Sequence, residues 1–213
     1  MKDGHDYITI ESIQKSEKSN KKLLVLFNDG SKLSVSPSSI ADFNLYSGRD
    51  LTYSEYTQLK SDIDYSASKT RALRILGNRS LSTGELKKRL INKGDDENIA
   101  EQTVTWLNEI GILDDKQYAL SIVKHYSTNG YGMSRIKDEL YKRGIPREIW
   151  DEVLSELDES DADDATESYL RKKLKGSSDD SDIRRAANAL IRRGFSYDQV
   201  NIAVNKYKES VTI

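Results

Sequence analysis

Cysteine is absent from the chain, so disulfides, cysteine-held zinc, iron–sulfur clusters and thiol catalysis are excluded by count. A reducing compartment fits. Only two histidines are present, His5 and His125, and no metal set can be assembled from them by spacing. No run approaches the roughly 18 apolar residues of a membrane span, and MKDGHDYITI lacks the apolar stretch of a secretory leader. A soluble, cytoplasmic protein without membrane contact is expected. There is no phosphate-binding Gly-x4-Gly-Lys-Ser/Thr loop, and Gly130-x-Gly132 lacks the third glycine and preceding strand of a dinucleotide fingerprint. Asp114-Asp115 could suggest a metal or acid–base pair, but the residues read better as helix caps. Neither an enzyme nor a cofactor is expected.

Strong net charge is also missing. A formal charge of −2 disfavours a surface built throughout for nucleic acid, since that affinity depends on many phosphate-neutralising cations. The charge is unevenly placed. Asp158 to Glu167 holds six acidic residues and no basic one, whereas Tyr169 to Lys208 holds ten Lys or Arg against four Asp. The basic block should seek an acidic partner surface or a phosphate backbone.

The hydrophobic share of 36% and charged share of 32% suit thin helical units better than one thick globule. The first 62 residues differ from the rest. Tyr7 to Ile13 alternates as a strand, and Leu23 to Phe27 and Lys32 to Val35 flank Asn28-Asp29-Gly30, a hairpin signal because glycine supplies the positive φ of such turns. Pro37 and neighbouring serines end the strands, and a short helical pattern runs through Ile40, Phe43 and Leu45.

From about Asp64 the texture is helical and repetitive. Lys93-Gly94, Arg143-Gly144 and Arg193-Gly194 recur 50 residues apart. Leu90, Leu140 and Leu190 precede each glycine by four, and Leu86, Ile136 and Ala186 by eight, which forms one helical face. Val104, Leu154 and Val204 follow at +10, and Leu107, Leu157 and Tyr207 at +13. A fixed period of this size predicts stacked units, each a helix, turn, helix, glycine and helix. The cation faces the helix's negative end, and the glycine closes the helix in the left-handed conformation. Ser82 with Glu85 and Ser196 with Gln199 fit capping boxes, Asp115 suits the cap of the helix carrying Tyr118, and Pro146 suits a first turn.

The predicted fold class is mainly α: a tandem array of three three-helix repeats of about 50 residues, preceded by a small β-hairpin-containing region. The expected division is 1–62, a strand-rich region with a short helix, then repeats at 63–114, 115–160 and 161–213.

Ser82-x-x-Glu85-Leu86-x-x-x-Leu90-x-x-Lys93-Gly94 resembles the first-repeat signature of the RecX family. Leu113-Asp114-Asp115-x-x-Tyr118-Ala119, then Gly130-x-Gly132, Ile136, Glu139-Leu140 and Lys142-Arg143-Gly144, resembles that family's most characteristic stretch. The likeness continues through the third repeat, and the strand region resembles the extension of RecX proteins from Gram-positive bacteria. The third repeat departs in carrying Ala186 and no Asp114-Asp115 counterpart, which predicts a looser unit.

The resemblance implies a curved helical array lying in the groove of a RecA filament on DNA, lowering ATPase, strand exchange and filament growth, with roles in recombination, DNA repair and the SOS response. DNA, single- or double-stranded, would be contacted weakly or through the filament. A monomer is the default. The alternatives from the residues alone are a stand-alone DNA-binding regulator, since a three-helix unit can present a helix to the major groove, and a helical scaffold for another partner.

The candidate partner-binding strip is cationic. Lys87, Lys88, Arg89 and Lys93 supply it in the first repeat, Lys137, Lys142, Arg143 and Arg147 in the second, and Arg184, Arg185, Arg192 and Arg193 in the third. Singly, each fits an ordinary solvated helix face; stacked, they could align into one surface. Tyr131, between two glycines, is a further candidate as an exposed contact. Trp106 and Trp150 read as core anchors, and Tyr118 and Tyr126 as inward-packing rings.

Overall fold

The computed structural model describes residues 7–16, 21–157 and 159–211, with the side chains of 159–161 excepted. His5 and Asp158, both used above, lie outside these. The chain divides into two compact units: Met1–Asn78 with Arg89–Trp106, and Arg79–Lys88 with Leu107–Ile213.

The first unit opens with an antiparallel sheet. Strands β1 (Tyr7–Lys15), β2 (Leu23–Phe27), β3 (Lys32–Val35) and β4 (Asp50–Thr52) take the order β3-β2-β1-β4. The β2–β3 hairpin is the expected one: Gly30 has φ 82°, and the Asp29 carboxylate accepts the Ser31 amide at 2.8 Å. Strand β4 was not foreseen, because three residues are too few to show an alternation. Its Leu51 pairs with Ile8, and its Thr52 caps the next helix.

Helix α1 (Pro37–Asp42) ends before Phe43, shorter than the Ile40–Leu45 pattern suggested. Helix α2 (Tyr53–Leu76) begins well before Asp64 and crosses residue 62 without a break. Its start is a complete capping box: the Thr52 hydroxyl accepts from the Glu55 amide, and the Glu55 carboxylate accepts from the Thr52 amide at 2.8 Å. The core beneath comprises Ile10, Val25, Phe27, Val35, Leu45, Leu51 and Leu59, with Tyr56 edge-on to Phe27.

Helix α4 (Glu97–Glu109) completes this unit through polar contacts with α2. Buried Ser68 donates to Asp95 at 3.0 Å and accepts from buried Thr103 at 2.9 Å, while Arg71 pairs with Asp95. Half-buried Trp106 lies under the Lys69 ammonium, 4.4 Å from its ring centre.

In the second unit, α5 (Asp115–Thr128), α6 (Met133–Lys142), a 3-10 turn (Arg147–Ile149) and α7 (Trp150–Leu154) enclose Ala119, Ile122, Val123, Ile136, Leu140, Ile145, Trp150 and Val153. Pro146 stands just before the turn, not within it. Trp150 is 8% exposed and donates its indole N–H to the Ile145 carbonyl, as a core anchor. Tyr118 and Tyr126 pack on the same cluster.

Helices α8 (Glu159–Leu174), α9 (Asp180–Arg192) and α10 (Tyr197–Val211) repeat the plan around Leu170, Ile183, Ala186, Leu190, Phe195, Val200 and Tyr207. Ala186 is 2% exposed, so its smaller side chain leaves no open face. Phe195 stands where the second repeat has Ile145, and Tyr207 where it has Leu157. The Tyr207 hydroxyl accepts the Gly176 amide and donates to the Ser177 carbonyl, each at 3.1 Å. The architecture is a tandem array of three-helix repeats behind a small strand-rich region. Among the described residues no helix is long and apolar enough to cross a membrane.

Candidate interaction surface and the joints that carry it

In the second and third repeats the cation–glycine pair sits where middle helices meet end to end, whereas a Cβ on Gly94 would meet nothing within 4 Å. At the start of α3 (Thr83–Asn92), the Ser82 hydroxyl donates to the Arg143 carbonyl at the end of α6. Gly84 packs on Gly144 so closely that a Cβ on Gly84 would lie 2.7 Å from the Gly144 carbonyl oxygen. The next joint repeats the scheme: the Gly132 amide donates to the Arg193 carbonyl at 2.9 Å and the Ser134 amide to the Gly194 carbonyl at 3.1 Å. A Cβ on Gly132 would lie 2.4 Å from the backbone of Gly194 and Phe195. At the second joint N–H groups at one helix start meet orphan carbonyls at another helix end, and at the first a side-chain hydroxyl meets one; in both the dipoles run head to tail.

Side chains clamp these joints. Asp115 accepts from both the amide (2.8 Å) and the hydroxyl (2.5 Å) of Thr83, the first residue of α3. The sequence reading placed this residue as the cap of its own helix; that cap is Asp114, which accepts from the Gln117 amide at 2.9 Å. Adjacent acidic residues at a helix start both look like caps, and only the fold shows that one of them serves a neighbouring helix. The Ser82–Glu85 and Ser196–Gln199 boxes form as expected.

The candidate cations divide accordingly. Arg143 is half-buried and donates to the Tyr118 hydroxyl at 2.6 Å beside Glu139. Burial and the Glu85 carboxylate push the Tyr118 phenol up, while Arg143 opposes that shift. Arg193 is half-buried too, donating to the carbonyls of Asn129 (3.4 Å) and Gly130 (3.3 Å), with its guanidinium over the rings of Tyr131 and Tyr169. Tyr131, expected to be an exposed contact, is half-buried against Tyr126 and lines a cleft of about 880 Å³ with Met133, Phe195 and Ile202.

Other members face solvent. Lys88, Arg89, Lys93, Lys137, Arg184 and Arg192 are exposed, and no acidic side chain among the described residues pairs with them. Lys142 pairs loosely with Glu139 at 3.6 Å, Arg185 with Asp182 at 2.7 Å, and Arg147 lies over the Trp150 ring. Lys87 is half-buried. Only the 93/143/193 position is cationic in all three repeats, and in the second and third its guanidinium is engaged within the chain.

The fold and these joints define a helical-repeat protein whose middle helices are coupled end to end. Comparison with known proteins carries the assignment further. The family description "RecX, second three-helix domain" matches residues 114–154. The chain is 28% identical over 202 residues to the regulatory protein RecX of Clostridioides difficile, covering 92% of this chain and 94% of that one. It is also 28% identical over 205 residues to RecX of Bacillus licheniformis, covering 94% and 77%. A crystal structure of a regulatory protein RecX superposes with TM-score 0.71 over 93% of this chain and 99% of that one at 17% identity, and RecX from Lactobacillus salivarius with 0.62 over 68% and 97% at 21%; these last two establish the shared fold. These likenesses are to proteins named regulatory protein RecX, and they extend over nine tenths of the chain.

Proposed function

We propose that the chain is a non-enzymatic negative regulator of the RecA recombinase, acting in the cytoplasm. It binds the RecA–DNA filament and lowers ATP hydrolysis, strand exchange and filament growth. The observation that carries this reading is likeness over nine tenths of the chain to proteins named regulatory protein RecX. The contact surface is assigned to the cations without an acidic partner among the described residues, Lys88, Arg89, Lys93, Lys137, Arg184 and Arg192, with Lys87, Lys142, Arg147 and Arg185 as further members. Such cations lose little hydration until they meet an acidic surface, so they contribute to recognition and encounter more than to folding. Arg143, Arg193 and Tyr131 serve the joints that hold the surface in place.

The test is RecA ATPase on single-stranded DNA with increasing amounts of the purified chain. Hydrolysis should fall and filaments shorten. Unchanged rate and filament length across a wide concentration range would remove the reading. A stand-alone DNA-binding regulator would instead bind duplex tightly without RecA and lose affinity steeply with salt.

A further inference from the structure

The cation–glycine pair recurs at three helix ends, and two of them are filled by helix starts of this chain. Ser82-Thr83-Gly84 meets Arg143-Gly144 through the Ser82 hydroxyl, with Gly84 at the closest approach. Gly132-Met133-Ser134 meets Arg193-Gly194 through the Gly132 and Ser134 amides, with Gly132 at the closest approach. Both occupants follow one rule: small residues at the cap and two positions on, one of them glycine.

The third end, Lys93-Gly94, is built like the filled ones and stands open. In α3 the Lys93 amide donates to the Arg89 and Leu90 carbonyls and the Asp95 amide to Leu90. In α9 the Arg193 amide donates to Ala189 and Leu190 and the Phe195 amide to Leu190. Gly94 has φ +94° and Gly194 +93°. The Arg193 and Gly194 carbonyls each accept an amide at the start of α6, whereas no donor among the described residues reaches the carbonyls of Lys93 or Gly94. Gly94 is exposed, and a Cβ on it would meet nothing within 4 Å. Asp95 is tied down by Arg71 and Ser68, so the end presents backbone acceptors and the negative pole of its helix.

A second copy of this chain offers no occupant. Its starts with glycine, at α3 and α6, are already docked within their own chain. Helix α9 begins nearly a turn earlier in its repeat, under Asp179, which accepts the Ser181 and Asp182 amides. Asp182 therefore stands where Ser82 and Gly132 serve as caps, and its carboxylate opposes a carbonyl end. Helix α2 has Thr52 and Ser54 at the two positions and lacks the glycine.

We propose that the open end of α3 receives the start of a helix from a different protein, one with glycine at the cap or two residues on and Ser, Thr or Gly at the other position. Its first amides take the Lys93 and Gly94 carbonyls, and its positive pole faces the negative end of α3, as the start of α6 does at Arg193. The site shares Lys93 with the cations assigned above, yet its occupancy does not rest on the RecA reading.

The probe is a lactam-stabilised peptide of residues Arg79–Asn92, because so short a helix is marginal alone in water. It is titrated into the isotope-labelled full chain without RecA, with amide chemical shifts as the readout. The Gly94 and Asp95 signals should move saturably, while those of Gly144 and Gly194, whose joints are filled, stay in place. A Gly84→Val peptide should bind at least tenfold more weakly. Gly94→Asn in the chain accepts the left-handed conformation but adds a Cβ, which at the filled Gly194 would lie 2.4 Å from the Arg135 amide nitrogen. That variant should lose at least tenfold as well.

No movement at Gly94, equal affinity of the Gly84→Val peptide, or undiminished binding to Gly94→Asn would each overturn the proposal. The peptide variant leaves the chain untouched, so the test stands if Gly94→Asn unfolds. Self-association of the chain in sedimentation velocity that Gly94→Asn abolishes would overturn the assignment to a different protein. Because RecA is absent, none of these outcomes bears on the ATPase reading.

Discussion

The amide of Gly132 donates to the carbonyl of Arg193 at 2.9 Å, joining the start of one middle helix to the end of the next. The backbones approach too closely for a side chain at Gly132, whose own φ of −83° any residue could adopt. Steric contact, not backbone strain, is therefore what requires glycine here. Gly132→Ala should destabilise the protein by about 1–3 kcal/mol, as overpacking does. Gly84→Ala gives a sharper test, because alanine within a helix would otherwise stabilise by about 1 kcal/mol. Denaturant melts should show net destabilisation. A stabilised Gly84→Ala would mean that the joint yields without cost.

The two kinds of cation should separate in experiment. Arg184→Glu with Arg192→Glu should leave the melting midpoint within about 0.5 kcal/mol, as for exposed residues without partners, while weakening inhibition of RecA ATPase. Arg143→Met should lower stability by about 1–3 kcal/mol, because it removes a charged donor from Tyr118. Full inhibition by the first variant would exclude the third-repeat cations as contacts. Reversing Arg184, Arg185, Arg192 and Arg193 together should weaken inhibition while retaining helicity, with a lower midpoint traceable to Arg193.

The repeat period was legible because Leu90, Leu140 and Leu190 keep their spacing to glycine, and burial enforces that spacing. The purpose of the glycines was only half legible. Their left-handed φ, +63° at Gly144 and +93° at Gly194, is a local property that a helix end announces. Their role as docking points depends on which helix arrives from elsewhere, and no local pattern records that. The same holds for Arg143 and Arg193, which read as solvated helix ends until Tyr118 and Tyr131 are placed beside them. Strand β4 was missed because three residues cannot show a period, and its role comes from pairing with β1.

Asp114 and Asp115 test this distinction between local and long-range capping. Asp114→Ala should free the Gln117 amide and cost about 1 kcal/mol, with faster hydrogen exchange confined to the start of α5. Asp115→Ala should leave α5 protected and expose the Thr83 amide at the start of α3. Protection at Thr83 unchanged in Asp115→Ala would show that the carboxylate does not hold that joint.

Tyr118 gives the second-repeat joint a pH dependence. Its phenol is raised by burial first and the Glu85 carboxylate next, so the folded state holds the proton to higher pH than the unfolded chain. That contribution is complete below the ordinary tyrosine value near about 10, and it is lost as pH rises through the folded value. Tyr118→Phe removes the titration along with the Arg143 hydrogen bond. The variant should be less stable by about 1–2 kcal/mol at neutral pH, with the difference shrinking in strongly alkaline solution. A difference that stays constant up to alkaline unfolding would contradict the assignment.

Asp95 ties α2 to the segment leading into α4 by polar contacts. Its carboxylate, 8% exposed, pairs with Arg71 and accepts the Ser68 hydroxyl, which in turn accepts from Thr103. Removing one member of such a set leaves the others desolvated, which outweighs the attraction lost. Arg71 is about one-third exposed, so water relieves part of that cost. Asp95→Ala should therefore destabilise by about 2–3 kcal/mol, below the full value for a wholly buried pair. Asp95→Asn keeps an acceptor for Ser68 and should cost about half as much. Because the pair is mostly shielded, high salt should change neither ranking by much. Equal midpoints for Asp95→Ala and wild type in urea would show that this cluster does not hold the two helices together.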